Sequence, residues 1–591
     1  MESNSRLLNL NLMTCLLRKL SAIITILLLV PVFTDAAQKW YNPEDAGFRV
    51  IQGQAFQGQE FERFYDRLPA KAQNSVRKPV WQLSRCSAGQ SLVFSTDAEN
   101  ITVRYQVSRR HAMHHMPATG VSGLDLYTFD RNGREIYLAG KYQFKDTLTF
   151  TYNPIHIEKN PKHHRYTLYL PLYNDVKWLE IGVDDGAEFR FEPVLPAKPI
   201  VAYGTSICQG ACASRPAMAW TNILQRRLDH EVVNLGFSGN AFMENEMIDL
   251  LAEIDASVYI LDAMPNISGF KDPEAIRDTV LNAVRRLRTK RPDTPILLAD
   301  HSGYPNHLAN PQMKAKQDNA LKMQPEAYRI LVEEGVSNLH YLSYDEIAMP
   351  QDASVEGVHM SDYGMVAYAD AYEKKLREIM HEPVGDCTTM VPVVQQRDPY
   401  IWMDRHYDIV TESTGKHYSR VLIGDSIMHF WCDTEDGSAV NGQKSWDKFE
   451  GASLNLGCGY DRIENVLWRM YHGQIDNYTA DRIYLTIGTN NLKGSSDGDI
   501  VEGIANLISA IKYRRPEAEL VLMGILPRRN HEARIKSLNK LLKKVAAKAD
   551  VKYSDPGTAL LKKGGKIDEN LFSDGLHPNE AGYEVIAPYY R

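Results

Sequence analysis

The sequence predicts an α/β protein in which an all-β domain precedes two α/β domains, each a parallel sheet wrapped by helices. Three observations predict it. Between Trp40 and about Pro196, alternating or aromatic-rich runs such as SLVFSTDA, NITVRYQVS, HRYTLYLPLY and KWLEIGV are separated by Gly, Asp and Asn turns, the pattern of half-buried strands. From Pro199, short apolar runs (PIVAYG, ASVYILDA, TPILLAD) alternate with helical stretches (AWTNILQRRL, EAIRDTVLNAVRRLR, MVAYADAYEKKLREIM), as in a sheet whose parallel strands are joined by crossover helices. The same grammar restarts at SRVLIGDS, continues through RIYLTIGT and AELVLMGILP, and ends in a closing helix around Glu580.

Length agrees with this division, because 591 residues exceed what one hydrophobic core organises. Residues 1–36 read as an export signal: Arg18 and Lys19 precede LSAIITILLLVPVF, and Thr34, Ala36 and Ala37 offer a processing site near Ala36. That apolar run is short for a membrane span and is broken by Pro31. Residues 38–197 read as a β-sandwich, 198–382 as the first α/β domain, 383–416 as a Pro-bearing linker and 417–591 as the second α/β domain. No other run is apolar enough to span a bilayer, so the expectation is a protein exported to a periplasmic or extracellular space, without stable membrane insertion after signal cleavage.

Composition excludes several classes. With 44% hydrophobic and 24% charged residues the chain is ordinary globular material rather than long disorder, and a net charge of −7 gives no reason to expect a nucleic acid partner. The basic KLLKKVAAK stretch fits the solvated side of an amphipathic helix. Six cysteines lie outside the signal (Cys86, Cys208, Cys212, Cys387, Cys432, Cys458) and show no disulfide framework; most are expected as buried thiols, with a Cys208–Cys212 bridge left open. HAMHH (His111, His114, His115) has no acid or Cys at ligand spacing and reads as a sandwich loop or rim reaching over the first active site. DTEDG near Asp433 does not match the spacing of a calcium loop. No metal and no cofactor are expected. Asp125 and Tyr127 alternate with Leu124 and Leu126 and read as residues that fix a strand edge.

The two α/β segments repeat one another in their polar motifs. GTSI recurs as GDSI, NLGFSG as NLGCGY and EGVH as DGLH, and the serine-to-histidine separations are 153 and 151 residues. Three ordered polar motifs at matched spacing point to shared chemistry. A serine hydroxyl becomes a useful nucleophile when a base takes its proton, and that base needs an acid to fix its tautomer. Ser206 and Ser426 each follow a strand and a Gly, at a strand-to-helix turn. His359 and His577 are the candidate bases, with Glu356 and Asp574 three residues earlier. Oxyanion donors are expected from the backbone N–H of each serine and of Gly239 and from the side-chain amides of Asn266 (in DAMPN) and Asn490 (in GTNN), just past apolar strands where the serine turns also lie.

These four blocks resemble those of the SGNH (GDSL-type) hydrolases, which contribute Ser, Gly, Asn and an acid-x-x-His pair. The resemblance implies a flavodoxin-like three-layer α/β/α sandwich for each copy and ester hydrolysis without a cofactor. The second copy, with NLGCGYDRIENVLWRMYHG and GTNN, is similar to the platelet-activating-factor acetylhydrolase catalytic-subunit branch. The first, with GTSICQGACASRP and NLGFSGN, resembles a branch carrying an N-terminal sandwich marked by GVSGLDLY, here Gly120 to Tyr127. Three positions depart from the pattern: no Gly stands before Asn266 where the family has one, Glu356 replaces the usual Asp, and the count from Asn455 places Tyr460 where the oxyanion Gly is expected. By analogy with exported family members bearing accessory sandwiches, the expected substrate is an acetylated glycan. The rival expectations are a lipid or phospholipid acyl hydrolase, and a glycan-binding protein in which one hydrolase domain is inactive.

Overall fold

The computed structural model describes residues 38–591 apart from 131–134, 158–163, 196, 271, 396–399 and 435–437. The export-signal reading of residues 1–36, Cys15 included, lies outside the described residues. In the N-terminal domain the alternating runs become strands: in Ile101–Val107, Ile101, Val103 and Tyr105 are buried while Thr102, Arg104 and Gln106 are half-buried, the period-two signature of a sheet with one face on a core. One antiparallel sheet runs in the order Gln38–Tyr41, Val176–Asp184, Ile101–Val107, Leu148–Tyr152, Lys141–Gln143. The other runs Phe189–Phe191, Ser91–Thr96, His164–Tyr169, Asp125–Phe129, Glu135–Leu138, with Ile51–Gln52 also paired to Ser91–Thr96. Leu92, Phe94, Val103, Tyr105, Leu126, Leu168 and Ile181 fill the space between them.

Asp125 and Tyr127 do not fix an edge. Their strand is interior, flanked by His164–Tyr169 and Glu135–Leu138. Asp125 accepts from Ala217 N (2.7 Å) and pairs with Arg215 (3.1 Å), whose Nη1 also reaches Tyr127 Oη at 2.9 Å. The GLDLY segment is therefore the seam that fastens the sandwich to the first α/β domain.

Each α/β domain is a five-stranded parallel sheet with its strands in the order 2-1-3-4-5. The first runs Val232–Gly236, Ile200–Gly204, Val258–Asp262, Ile296–Ala299, Leu339–Leu342; the second runs Ser453–Gly457, His417–Gly424, Thr479–Thr486, Glu519–Met523, Lys552–Ser554. This is the flavodoxin-like order. Helices cover both faces, which is why Ile200–Gly204 and Val258–Asp262 are buried at every position and read as continuous apolar runs rather than alternating ones. In both domains the chain leaves the first strand at the point where strand order reverses, and the crevice there is where such sheets bind ligands.

The three domains are in contact. Ala88, Met116, Leu172 and Tyr173 of the sandwich share a core with Ile207, Cys208 and Trp220. Between the two α/β domains, Trp468 Nε1 donates to Asp229 Oδ2 (2.8 Å), and Glu382 joins His230 (2.9 Å) to Arg514 (2.8 Å). The connecting stretch is more than a tether, since its helix Trp402–Ser413 buries Trp402, Arg405 and His406 against the second domain. All six cysteines among the described residues are free of disulfides; Cys208 Sγ faces Ala202 O whereas Cys212 Sγ faces His115 O, so no Cys208–Cys212 bridge exists. Among the described residues no helix is long and apolar enough to cross a membrane.

Candidate active sites

Ser206 and Ser426 are the first residues of four-residue helices that begin two positions after a first-strand glycine. The intervening residue, Thr205 in one copy and Asp425 in the other, is the N-cap: its side-chain oxygen accepts from Ile207 N (3.2 Å) or Ile427 N (3.0 Å). That shared task explains why GTSI and GDSI interchange, since Thr and Asp both satisfy an orphan N–H at a helix start. Burial pushes the Asp425 carboxyl up to about 7, against the pull of the Ile427 N–H.

The histidines meet these serines. His359 Nε2 lies 2.8 Å from Ser206 Oγ, and His577 Nε2 lies 2.9 Å from Ser426 Oγ. Each acid-x-x-His segment is a tight turn closed by one backbone bond, Val355 N to His359 O (2.8 Å) and Ser573 N to His577 O (2.9 Å), with a left-handed glycine inside it, Gly357 at φ +88° and Gly575 at φ +83°. The turn carries the carboxylate back to the imidazole. Asp574 Oδ2 holds His577 Nδ1 at 2.7 Å, and Glu356 Oε1 makes a short contact with His359 Nδ1. The longer Glu356 arm thus reaches the same atom.

Both acids are held below the ordinary carboxylate range. Partial burial pushes Glu356 up, but the charge and N–H groups of His359 outweigh it; for Asp574 the same burial is outweighed by hydrogen bonds from His577 and Leu576. They are ionised at neutral pH, as an acid that orients an imidazole must be.

The segment expected to supply oxyanion donors is where the copies differ in sequence and agree in backbone. Gly239 has φ +66° and Tyr460 has φ +65°. Each sits in a turn closed by the following residue, Asn240 N to Phe237 O (2.8 Å) and Asp461 N to Cys458 O (3.2 Å). Sheet register places Asn266 and Asn490 at equivalent positions, four residues past the Asp262 and Thr486 that face the serine-strand glycines. Asn266 Oδ1 accepts from Ala241 N (2.9 Å), a bond that uses the oxygen end of its amide, whereas Asn490 donates one amide N–H to Asp461 O (2.9 Å). The missing glycine has a cause: Gly488 stands at φ +122°, while its counterpart Met264 begins the short helix Met264–Ile267 and needs no such angle.

Three pairs of residues support these turns, and of them only the asparagines lie in the repeated motifs. Asn234 and Asn455 each accept from the strand-end glycine (Gly236 N, 2.9 Å; Gly457 N, 2.8 Å) and donate to the carbonyl two residues past the serine (Cys208 O, 2.6 Å; Met428 O, 2.9 Å). Gln209 and His429, three past the serine, accept from the residue before the left-handed one (Ser238 N, 3.0 Å; Gly459 N, 3.0 Å). Finally, Arg67 donates to Asn234 O (2.9 Å) and Gly236 O (3.0 Å), and Arg405 donates to Asn455 O (3.3 Å) and Gly457 O (2.8 Å). The two arginines come from unrelated segments upstream of each sheet yet grip equivalent carbonyls. Gly89 brings the sandwich against the first of these turns; a Cβ there would lie 2.3 Å from Asn234 Cβ.

The HAMHH loop also reaches the first site, as its sequence position suggests. Met113 and Met116 close a small turn (Met113 N to Met116 O, 3.0 Å), and the ring of His115 within it stacks on His359 with centroids 5.5 Å apart.

Comparison with known proteins agrees with this geometry. Residues 38–189 match the family described as the N-terminus of Esterase_SGNH_hydro-type (GxDLY), and residues 197–377 and 422–585 match two families described as GDSL-like Lipase/Acylhydrolase. A Bacteroides ovatus protein classed as a GDSL-like lipase is 29% identical and superposes with a TM-score of 0.53 over 58% of this chain and 98% of that one. Platelet-activating factor acetylhydrolase IB subunit alpha1 of Homo sapiens is 28% identical over 194 residues, 31% of this chain and 79% of the relative. Subunit alpha2 of Bos taurus is 28% identical over 195 residues, 31% of this chain and 80% of the relative. The chain thus belongs to the GDSL-type (SGNH) hydrolases twice over, and it is an ester hydrolase.

Proposed function

We propose that this protein is an exported carbohydrate O-acetylesterase that removes acetyl groups from polysaccharides at two sites through acyl-enzyme intermediates. At each site the serine hydroxyl passes its proton to histidine Nε2 as Oγ attacks the acetyl carbonyl, while the carboxylate on Nδ1 supports the imidazolium. The oxyanion takes hydrogen bonds from the serine N–H, from the left-handed residue Gly239 or Tyr460, and from the amide of Asn266 or Asn490. Collapse returns the proton to the departing sugar oxygen, and water repeats the sequence to release acetate. The observation that carries the reading is the openness of both sites: the side chains of Glu356 and Asp574 are 38% and 53% exposed, and Tyr460, the left-handed residue of the second copy, is exposed as well. Acid-histidine pairs open to solvent suit a short acyl group on a bulky hydrophilic alcohol, and an exposed aromatic ring suits the face of a sugar. The name of the acetylhydrolase relatives supports acetyl as the acyl group. Export is supported by the apolar run behind Arg18 and Lys19. Two tethered sites raise one another's effective concentration on a substrate acetylated at several positions.

Acetate release from native acetylated polysaccharides tests the reading, using the wild type, Ser206→Ala, Ser426→Ala and the double variant. Each single variant is expected to keep part of the release and the double variant none. Full release by the double variant would remove both serines from the mechanism. Release from short acyl lipids but from no glycan would transfer the function to lipid substrates.

A further inference from the structure

Three donor atoms from distant parts of the chain converge at the histidine that bonds Ser206: one each from His115, Cys212 and His359, all within 4.8 Å of one another. We propose that they form a binding site for a borderline-soft divalent cation, Zn²⁺ above all, which switches the first active site off and leaves the second running.

No short motif holds this set. The fold assembles it by docking a sandwich loop onto the loop that follows Ser206. Thr119 Oγ1 donates to Ser214 O (2.7 Å), and Gly120 lies so close that a Cβ would stand 2.2 Å from Ala213 O. Cys212 has a left-handed backbone, φ +69°, and its buried thiol donates to the backbone oxygen of His115 (3.3 Å). Non-glycine residues seldom adopt that conformation, and such outliers are a reason to look for function. His115 is exposed, and a rotation of its ring, now stacked on His359, closes the set.

Two imidazoles and a thiolate, with water in a fourth position, form a donor set suited to zinc, with Zn–N bonds of about 2.0–2.1 Å and Zn–S of about 2.3 Å. Glu356 already occupies His359 Nδ1, which leaves Nε2 as the metal ligand and makes Glu356 the outer carboxylate commonly found behind a ligating histidine. Nε2 is also the atom that faces Ser206 Oγ at 2.8 Å. A metal there takes the lone pair that would receive the serine proton. Binding breaks the S–H bond of Cys212 and releases its proton to solvent as the S–Zn bond forms; no electrons change hands.

The second site is the internal control. Cys432 stands six residues past Ser426, as Cys212 does past Ser206, but its sulfur accepts from Asn455 Nδ2 at 3.2 Å. The ring beside His577 is Phe430, at 5.1 Å, which offers no ligand.

The inhibitory consequence rests on the reading of His359 as the base, so the test has two readouts. With Ser426→Ala protein, whose activity comes from the first site, micromolar ZnCl₂ is expected to lower hydrolysis of a soluble acetyl ester by about tenfold or more, reversibly with EDTA. In that background Cys212→Ser and His115→Ala, each compared with its own EDTA-treated activity, are expected to lose the sensitivity, and Ser206→Ala protein should show none. Independently of activity, Co²⁺ added to the full-length protein is expected to give a thiolate-to-cobalt charge-transfer band and intense tetrahedral visible bands that disappear in Cys212→Ser. Absence of those bands overturns the site. Bands without inhibition overturn the switch, as does equal inhibition of the two sites.

Discussion

Gly239 and Tyr460 stand at the same place in the two α/β domains and share a backbone angle, +66° and +65°, although glycine adopts it freely and tyrosine pays about 1–2 kcal/mol for it. The acids differ in a similar way: Glu356 and Asp574 reach the same imidazole nitrogen from equivalent turns with arms of different length. What the two sites keep in common is the position of hydroxyl, imidazole and oxyanion turn, and what they let vary is the residue delivering each. The difference teaches that the turn is held from outside itself, by the arginine, the asparagine and the residue three past the serine.

The comparison breaks most sharply at the acids. With the other serine silenced, Asp574→Asn and Glu356→Gln should each lower kcat by about 10³–10⁴-fold, because the imidazole loses the partner that fixes its tautomer and supports its charge. Steady-state kinetics on a soluble acetyl ester measures it, and a loss below tenfold at either site would show that its carboxylate does not orient the base. Glu356→Asp then sharpens the contrast: a shorter arm on a turn built for the longer one should cost about 10–100-fold, since small misplacements of a positioned group are expensive.

A smaller effect is expected at the arginines. Arg67→Met should reduce kcat at the first site by about tenfold with little change in KM, and Arg405→Met should do the same at the second, because a loosened turn weakens stabilisation of the transition state more than substrate binding. Each variant carries its own folding control in the untouched site of the same chain. Equal losses at both sites would reduce the arginines to general stabilisers.

The smallest effects concern stability and have opposite signs. Gly239→Ala, with open space around the new methyl, should lower stability by about 1 kcal/mol through backbone strain alone. Tyr460→Gly should raise stability by a fraction of that, the relief of strain being partly offset by the freer unfolded chain. Urea denaturation midpoints compare the two, and a shift of the same sign in both would separate the backbones that the angles unite.

The parts of the sites read from sequence are those that local chain geometry controls. A serine at a helix start and an acid three residues from a histidine on one tight turn carry their geometry within a few residues, so Ser206, Ser426, Glu356, His359, Asp574 and His577 stood out and the structure brings each set together. The parallel sheets were legible for the same reason, because buried strands and crossover helices announce themselves by pattern. Arg67 and Arg405 carried no such signal: a buried arginine looks like any surface one until the fold places carbonyls around it. Cys212 and His115 lie 97 positions apart, so ligand spacing around HAMHH carries no trace of a partner delivered by domain docking. Asp125 and Tyr127 misled in the opposite direction, since alternation marks a strand but not whether its neighbours are solvent, strand or another domain.

The grip of Arg405 on Asn455 O and Gly457 O bears on how this protein can be divided. A fragment begun at His417, where the second sheet starts, would retain Ser426, Asp574 and His577 yet leave its oxyanion turn without the guanidinium that braces it. A fragment begun ahead of Tyr400 would carry the brace with it. The functional border of the second hydrolase therefore lies upstream of its first strand, and crystallisation or expression trials on the isolated half should be cut accordingly.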